Sequence, residues 1–257
     1  LIQQMDPQSV AYNMPACIKV SGKPDFCKFQ SSLRKLVDRH EILRTQFMII
    51  DGEPVQRLCD NAELDFEYIS CSRQESERFM AEFVQPFDLS EPPLVRVKVI
   101  DSGTDYILMI DMHHIISDGM SSRIFITELL AIYNDQPLPA LSRQYKDYSE
   151  WMRTRDISSQ EEYWVSQFND DIPVLNMPTD YPRPSKQDSR GAEVKLVIGK
   201  EEVEKLKAFT LKAEITDYML FLAAVMITLS KYSRQEDIVI GSPISGRTHR
   251  DTESMLG

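Results

Sequence analysis

Cysteine is scarce and unpatterned in this chain. The four present, Cys17, Cys27, Cys59 and Cys71, show no metal or redox spacing, so reduced thiols are the default expectation. Imidazoles are equally few. Beside the adjacent pair His113 and His114 there are only His40 and His249, with no HExxH or CxxC spacing, and no metal centre is expected. Basic charge is in deficit, with 29 Lys and Arg against 40 Asp and Glu and a formal net charge of −11. That balance argues against nucleic acid or an anionic membrane as partner. Long apolar runs are missing too. The strongest apolar helix candidate, about Tyr218 to Leu229, is too short to span a bilayer and reads as a core helix. No signal-peptide pattern opens the chain and no internal repeat or long low-complexity tract interrupts it, so a cytoplasmic location is expected.

What is present suits a folded α/β chain. A length of 257 residues with a hydrophobic share of 42% allows one or two domains with a real core. Phe26, Phe29, Leu33, Leu36 and Val37 mark an amphipathic helix ending near His40. Ser72 to Val84 predicts another, with Phe79, Met80 and Phe83 as its buried stripe. Leu94 to Ile100 alternates Val95, Val97 and Val99 with Arg96 and Lys98, the period of a half-exposed strand. From Asp170 to Gly191 the text is rich in Pro, Asp and Ser, a linker signal. Beyond it the pattern predicts a strand through Ala192, Val194, Leu196 and Ile198, helices from about Glu201 and Thr216, and a strand at Ile238 to Ile240. Strands and helices mixed on both sides of the linker imply α/β layering.

The most informative segment is His113-His114-Ile115-Ile116-Ser117-Asp118-Gly119. Before it, Tyr106 to Met112 reads as a buried strand. After it, Met120, Ile124, Phe125, Leu129, Ile132 and Tyr133 recur at helical spacing. Imidazoles, a carboxylate and a flexible backbone position therefore meet at a strand end, where open α/β sheets tend to bind ligands. Neighbouring residues of an extended segment point to opposite faces, so only one of the two histidines can face a given cleft. Asp118 can pair with a cation and brace the turn, and the Gly119 N–H can serve as an oxyanion donor. A neutral histidine beside such a donor suits acyl transfer to an amine or hydroxyl. The competing reading is two satisfied histidines in a structural turn. No GxSxG elbow surrounds Ser117, which argues against a nucleophilic serine.

HHIISDG matches the HHxxxDG signature of the condensation domains of nonribosomal peptide synthetases. Other phrases follow in that family's order. RHEILRTQF at Arg39 to Phe47 resembles RHExLRTxF, and QYKDYSEW at Gln144 to Trp151 is similar to YxD(F/Y)xxW. VIGSPISGR at Val239 to Arg247 is like the stretch leading into the fifth motif, and Pro86-Phe87-Asp88-Leu89 with Pro93-Leu94 is another family-like phrase. The resemblance covers essentially the whole chain. It implies a chloramphenicol-acetyltransferase-like two-layer sandwich: an N-terminal lobe over 1–175, a linker over 176–191 and the start of a second similar lobe over 192–257. The family's first motif would precede residue 1 and its fifth would follow Gly257, so a fragment is expected.

The resemblance implies an activity and a set of roles. A donor acyl or peptidyl thioester would pass to the amine of an acceptor aminoacyl thioester, forming an amide. Donor and acceptor carrier proteins would present both on phosphopantetheine, with no cofactor held directly and an adenylation domain as neighbour. His114 is the implied active-site histidine, as general base or as an orienting and electrostatic group, with Gly119 beside it. His113 and Asp118 support the site, and Arg39 or Arg44 is the implied ion-pair partner of Asp118. Trp151 reads as a packing residue. Arg247 reads as a turn cap or a bridge between lobes, outside the site, and His40 and His249 as structural or exposed. An epimerisation domain, another acyltransferase of the superfamily, or a silent recruitment module stands as the alternative. The QYKDYSEW segment favours condensation over epimerisation, and the two intact histidines exclude heterocyclisation domains, which carry aspartates there.

Overall fold

A computed structural model describes residues 2–103, 105–168, 172–185 and 191–257. Packing divides the chain into two units, 1–155 together with 245–257, and 156–244. The expected linker at 176–191 falls inside the second unit, and 186–190 lie outside the described residues.

The first unit runs α1 (Ile2–Met5), β1 (Asn13–Val20), α2 (Phe26–Arg39), β2 (Thr45–Ile50), β3 (Glu53–Leu58), β4 (Asp65–Ser70), α3 (Arg73–Ala81), β5 (Val95–Asp101), β6 (Tyr106–His113), α4 (Gly119–Tyr133) and α5 (Tyr145–Thr154). Four strands form one sheet in the order β1-β6-β5-β4. β6 is antiparallel to both neighbours, and β4 runs parallel to β5. β2 and β3 make a separate hairpin. Its tip, Asp51-Gly52, takes positive φ at both positions, the geometry that Asp-Gly supplies at least cost in a tight hairpin.

Register explains why β6 reads as almost continuously apolar. Leu108, Ile110 and Met112 stand opposite Val99, Val97 and Val95 and join the main core with Leu33, Leu36 and Val37 of α2 and Phe125 and Leu129 of α4. Met109 faces the other way and packs with Ile100 and Phe83, against Phe79 and Met80 of α3. Helices thus cover both faces of the central strand, which removes the alternation that a one-sided sheet would show. Each fully buried aliphatic side chain contributes about 1.5–3 kcal/mol.

The helix starts follow capping chemistry. Asp25 accepts from Lys28 N–H at 2.9 Å at the head of α2. Ser72 and Glu75 form a reciprocal capping box on α3. That helix ends at Ala81, short of the Val84 expected, and Phe83 reaches the core from the segment after it.

The second unit contains α6 (Ser158–Gln167), α7 (Lys200–Ala213) and α8 (Asp217–Ser233). The helices expected from about Glu201 and Thr216 are present. The two strands expected there are not. Residues 192–198 and 238–240 join no ladder among the described residues, and Val194 and Leu196 are 96% and 88% exposed. Alternation makes a segment competent to be a strand, but only a neighbour at hydrogen-bonding distance makes it one. No single helix among the described residues is long and apolar enough to cross a membrane.

Candidate functional site

β6 ends at His113, and a short turn leads into α4 at Gly119. The two histidines take opposite environments, as neighbours on an extended strand must. His113 is buried, 5% exposed, between the stacked ring of Tyr12 and the edge-on ring of Phe87. Its Nδ1 accepts the Ile115 N–H at 3.0 Å, so in the neutral ring the proton sits on Nε2. Burial, reinforced by the adjacent His114, pushes His113 down to about 4, which keeps it uncharged near neutrality. His114 is exposed. Its backbone N–H is tied to Tyr12 O at 2.8 Å, and its ring meets Tyr12 edge-on. The strand end therefore offers solvent one imidazole and locks the other underneath.

Asp118 is the N-cap of α4. Its Oδ1 accepts from Ser121 N–H at 2.6 Å and from Ser121 Oγ at 2.7 Å. Both carboxylate oxygens are also gripped by Arg247, with Nε at 3.2 Å from Oδ2 and Nη2 at 3.0 Å from Oδ1. Burial works to raise the Asp118 pKa, but the hydrogen bonds from Arg247 and Ser121 and the guanidinium charge outweigh it and hold the carboxyl below its usual range. Arg247 spends its remaining donors on the carbonyls of Thr252, Met255 and Gly257. One side chain thus fastens residues 245–257 to the head of α4. Met255 and Leu256 are buried in the same closure, and Leu256 joins the main core. Gly257 has φ +139°, and a Cβ there would collide with the Tyr145 ring.

The structure corrects the expected partner of Asp118, which is neither Arg39 nor Arg44. Arg39, from the end of α2, donates from Nε to Glu128 Oε2 at 2.8 Å and from Nη2 to Pro139 O at 2.7 Å. His40 Nε2 lies 2.7 Å from the same Glu128 oxygen and is almost fully buried. Burial acts against ionisation of Glu128, yet His40 and Arg39 hold it below the usual carboxylate range. The Arg-His pair of RHEILRT therefore clamps α2 to the middle of α4. Arg44 instead donates to Cys59 O at 3.3 Å, tying the short turn before β2 to the end of β3. The geometric reason is plain: Asp118 heads α4, whereas α2 meets that helix near Glu128.

Gly119 is the first residue of α4. Its amide and that of Met120 have no acceptor within the helix, and no atom lies within 4 Å of a Cβ built on Gly119. Trp151 is 44% exposed, with its ring tilted against Tyr148 and His249, and it lines a cavity of about 430 Å³ together with Arg143, Asp147 and Asp251. A larger cavity, about 870 Å³, is lined by Phe47, Ile49, Phe87, Leu89 and Ile115. All four cysteines are free, and no cluster of three or more His, Cys, Asp or Glu able to hold a metal occurs among the described residues.

Two roles escaped the sequence reading, that of Arg247, which it set outside the site as a turn cap or lobe bridge, and that of Glu128. Arg247 lies 129 positions from Asp118, and nothing local marks it beyond its place in SPISGR. Glu128 sits on the α4 face that carries Ser121, Phe125 and Leu129, and that spacing is the signal by which a core-facing carboxylate in need of a cation could have been found.

Comparison with known proteins gives the family. The family model described as "Condensation domain" matches residues 1–257. The chain is 43% identical over its whole length to gramicidin S synthase 2 of Brevibacillus brevis and 42% identical to tyrocidine synthase 3 of Brevibacillus parabrevis. It spans 6% and 4% of the lengths of those two relatives. Among solved structures, a four-domain nonribosomal peptide synthetase bound to AMP and glycine superposes with a TM-score of 0.87 at 21% identity, covering all of this chain and 20% of the other. The first condensation domain of a calcium-dependent antibiotic synthetase, in complex with a substrate analogue, gives 0.74 at 21%, covering all of this chain and 63% of that one.

Proposed function

The chain belongs to the condensation-domain family, and on that premise we propose that it forms amide bonds in nonribosomal peptide synthesis. The acceptor's amine attacks the carbonyl carbon of a donor acyl or peptidyl thioester. A C–N bond forms, the C–S bond breaks, and the donor's thiol leaves with a proton. Donor and acceptor are carried on phosphopantetheine arms of two carrier proteins. These are substrates in this reading, and the domain itself needs no further group. An adenylation domain in the same polypeptide and a cytoplasmic location belong to the same reading.

The observation that carries the proposal is the exposed His114 on a turn anchored at both ends. Its neighbour His113 is packed beneath it, and Asp118, Ser121 and Arg247 fix the head of α4. His114 is the group that meets the attacking amine, by accepting its proton or by orienting it. The free amide of Gly119, at the positive end of α4, is placed to stabilise an oxyanion. Asp118 is assigned to bracing because both its oxygens are already committed to Arg247 and Ser121. The test is transfer from a loaded donor carrier to a loaded acceptor carrier by the intact synthetase, followed as new amide product. Loss of that product in His114→Ala with carrier binding retained supports the proposal, and undiminished product contradicts it.

A further inference from the structure

Beneath the histidine turn, three polar atoms are buried without a partner: Asn13 Oδ1, Asp111 Oδ1 and His113 Nε2. They belong to one neighbourhood. The antiparallel register sets Asn13 directly opposite His113, and Asp111 stands two residues earlier on the same face of β6. Asn13 Nδ2 donates to Asp111 Oδ2 at 2.7 Å and to Gln85 O at 2.9 Å. Arg96, paired with Asp111 across β5, brings Nε to 3.9 Å from that same Oδ2 and lays its guanidinium over the Phe87 ring. Tyr12 and Phe87 wall the His113 ring. Asp111 is completely buried, and neither it nor Asn13 has a part in the reaction described above.

The donor and acceptor inventory is specific. His113 Nδ1 already accepts from Ile115, so Nε2 of the neutral ring is an N–H donor. The other two orphans are oxygens, hence acceptors. One donor and two acceptors are complementary to a single water, which accepts one hydrogen bond and donates two, the usual three of a buried water. Left unmet, each such group would carry its full desolvation cost.

We infer that Asn13 and Asp111 are positioning residues for the histidine turn, holding with His113 Nε2–H one ordered water. That water fixes the His113 ring, and the ring fixes the Ile115 amide through Nδ1, which sets the turn that presents His114. Burial pushes the His113 pKa down, which keeps the ring neutral and its Nε2–H a donor.

A neutron structure of the intact protein locates both the water and the proton, and it does not depend on the reading of His114. Deuterium on His113 Nε2 and a water bonded to all three atoms is the expected result. A proton on Nδ1, or no water bridging the three, overturns the inference. The kinetic arm does rest on that reading. Asp111→Leu should lower kcat for amide formation by about 10- to 100-fold, as misplacement of a reacting group does, with KM for both carriers unchanged. Asp111→Asn, which keeps an oxygen acceptor, should restore most of the turnover. Should Asp111→Leu fail to fold, Asn13→Ala takes its place, removing one acceptor at the strand edge. Folded variants with full turnover, or an Asp111→Asn variant as impaired as Asp111→Leu, contradict the assignment.

Discussion

Arg247 holds Asp118 through two parallel hydrogen bonds, Nε to Oδ2 at 3.2 Å and Nη2 to Oδ1 at 3.0 Å, across 129 residues of chain. Of the two side chains, Arg247 is 9% exposed and Asp118 27%. The carboxylate's Oδ1 takes three hydrogen bonds and its Oδ2 one, all from Arg247 and Ser121. It is a fastening, and it makes the orientation of α4 depend on residues 245–257.

Removing either partner should therefore be costly. Asp118→Asn and Arg247→Ala are each expected to lose about 2–4 kcal/mol in urea unfolding, near the lower range for breaking a buried pair because water reaches Asp118. The double variant should lose clearly less than the sum. Asp118→Asn combined with Arg39→Ala should instead be additive within about 0.5 kcal/mol, since those side chains share no partner. Coupling between Asp118 and Arg39 would restore the partner expected from sequence.

That contrast shows where sequence reading succeeds. β6, α4, α2 and β5 were legible because each carries its own periodicity and buries that stripe within one continuous core. Partnership is another matter. RHEILRT and HHIISDG are both intact, but which arginine meets Asp118 depends on where α2 crosses α4, and no spacing encodes that crossing. The segments 192–198 and 238–240 illustrate the same limit, since alternation specifies a face and never a neighbour. The hairpin turn at Asp51-Gly52 was a local signal between two apolar runs that the sequence reading passed over.

Acid stability should carry the mark of His113. Its folded pKa, about 4, lies below the ordinary 6.5, so the unfolded chain binds more protons between those values. Stability from this group is complete above pH 6.5 and declines as pH falls toward 4, by about 3 kcal/mol in total. Asp118 and Glu128, both held low, lose their contributions at still lower pH, beginning near their unfolded values. Asp111, raised by burial, acts in the opposite sense. Comparing the parent with His113→Asn isolates the histidine, because the difference between the two curves should appear between pH 4 and 6.5. Parallel curves would contradict a neutral, buried His113.

Gly119 offers a separation of folding from function. It does not have the positive φ that favours glycine, and a methyl group there meets nothing within 4 Å. Gly119→Ala should leave the thermal midpoint unchanged or slightly raised, since alanine is the better helix residue. Amide formation should fall if the reacting carbonyl approaches this amide. A variant with parental turnover would remove Gly119 from the site.

The most direct measurement is single-turnover amide formation by the intact synthetase carrying His114→Ala, beside His113→Ala, with both carriers loaded. His114 is exposed and its ring holds no hydrogen bond among the described residues, so its loss should shift stability by less than about 0.5 kcal/mol. Transfer should nevertheless collapse. His113→Ala should cost stability first, about 1–3 kcal/mol, by emptying a buried, hydrogen-bonded position. A folded His114→Ala protein that still forms product at the parental rate would contradict the account at its centre.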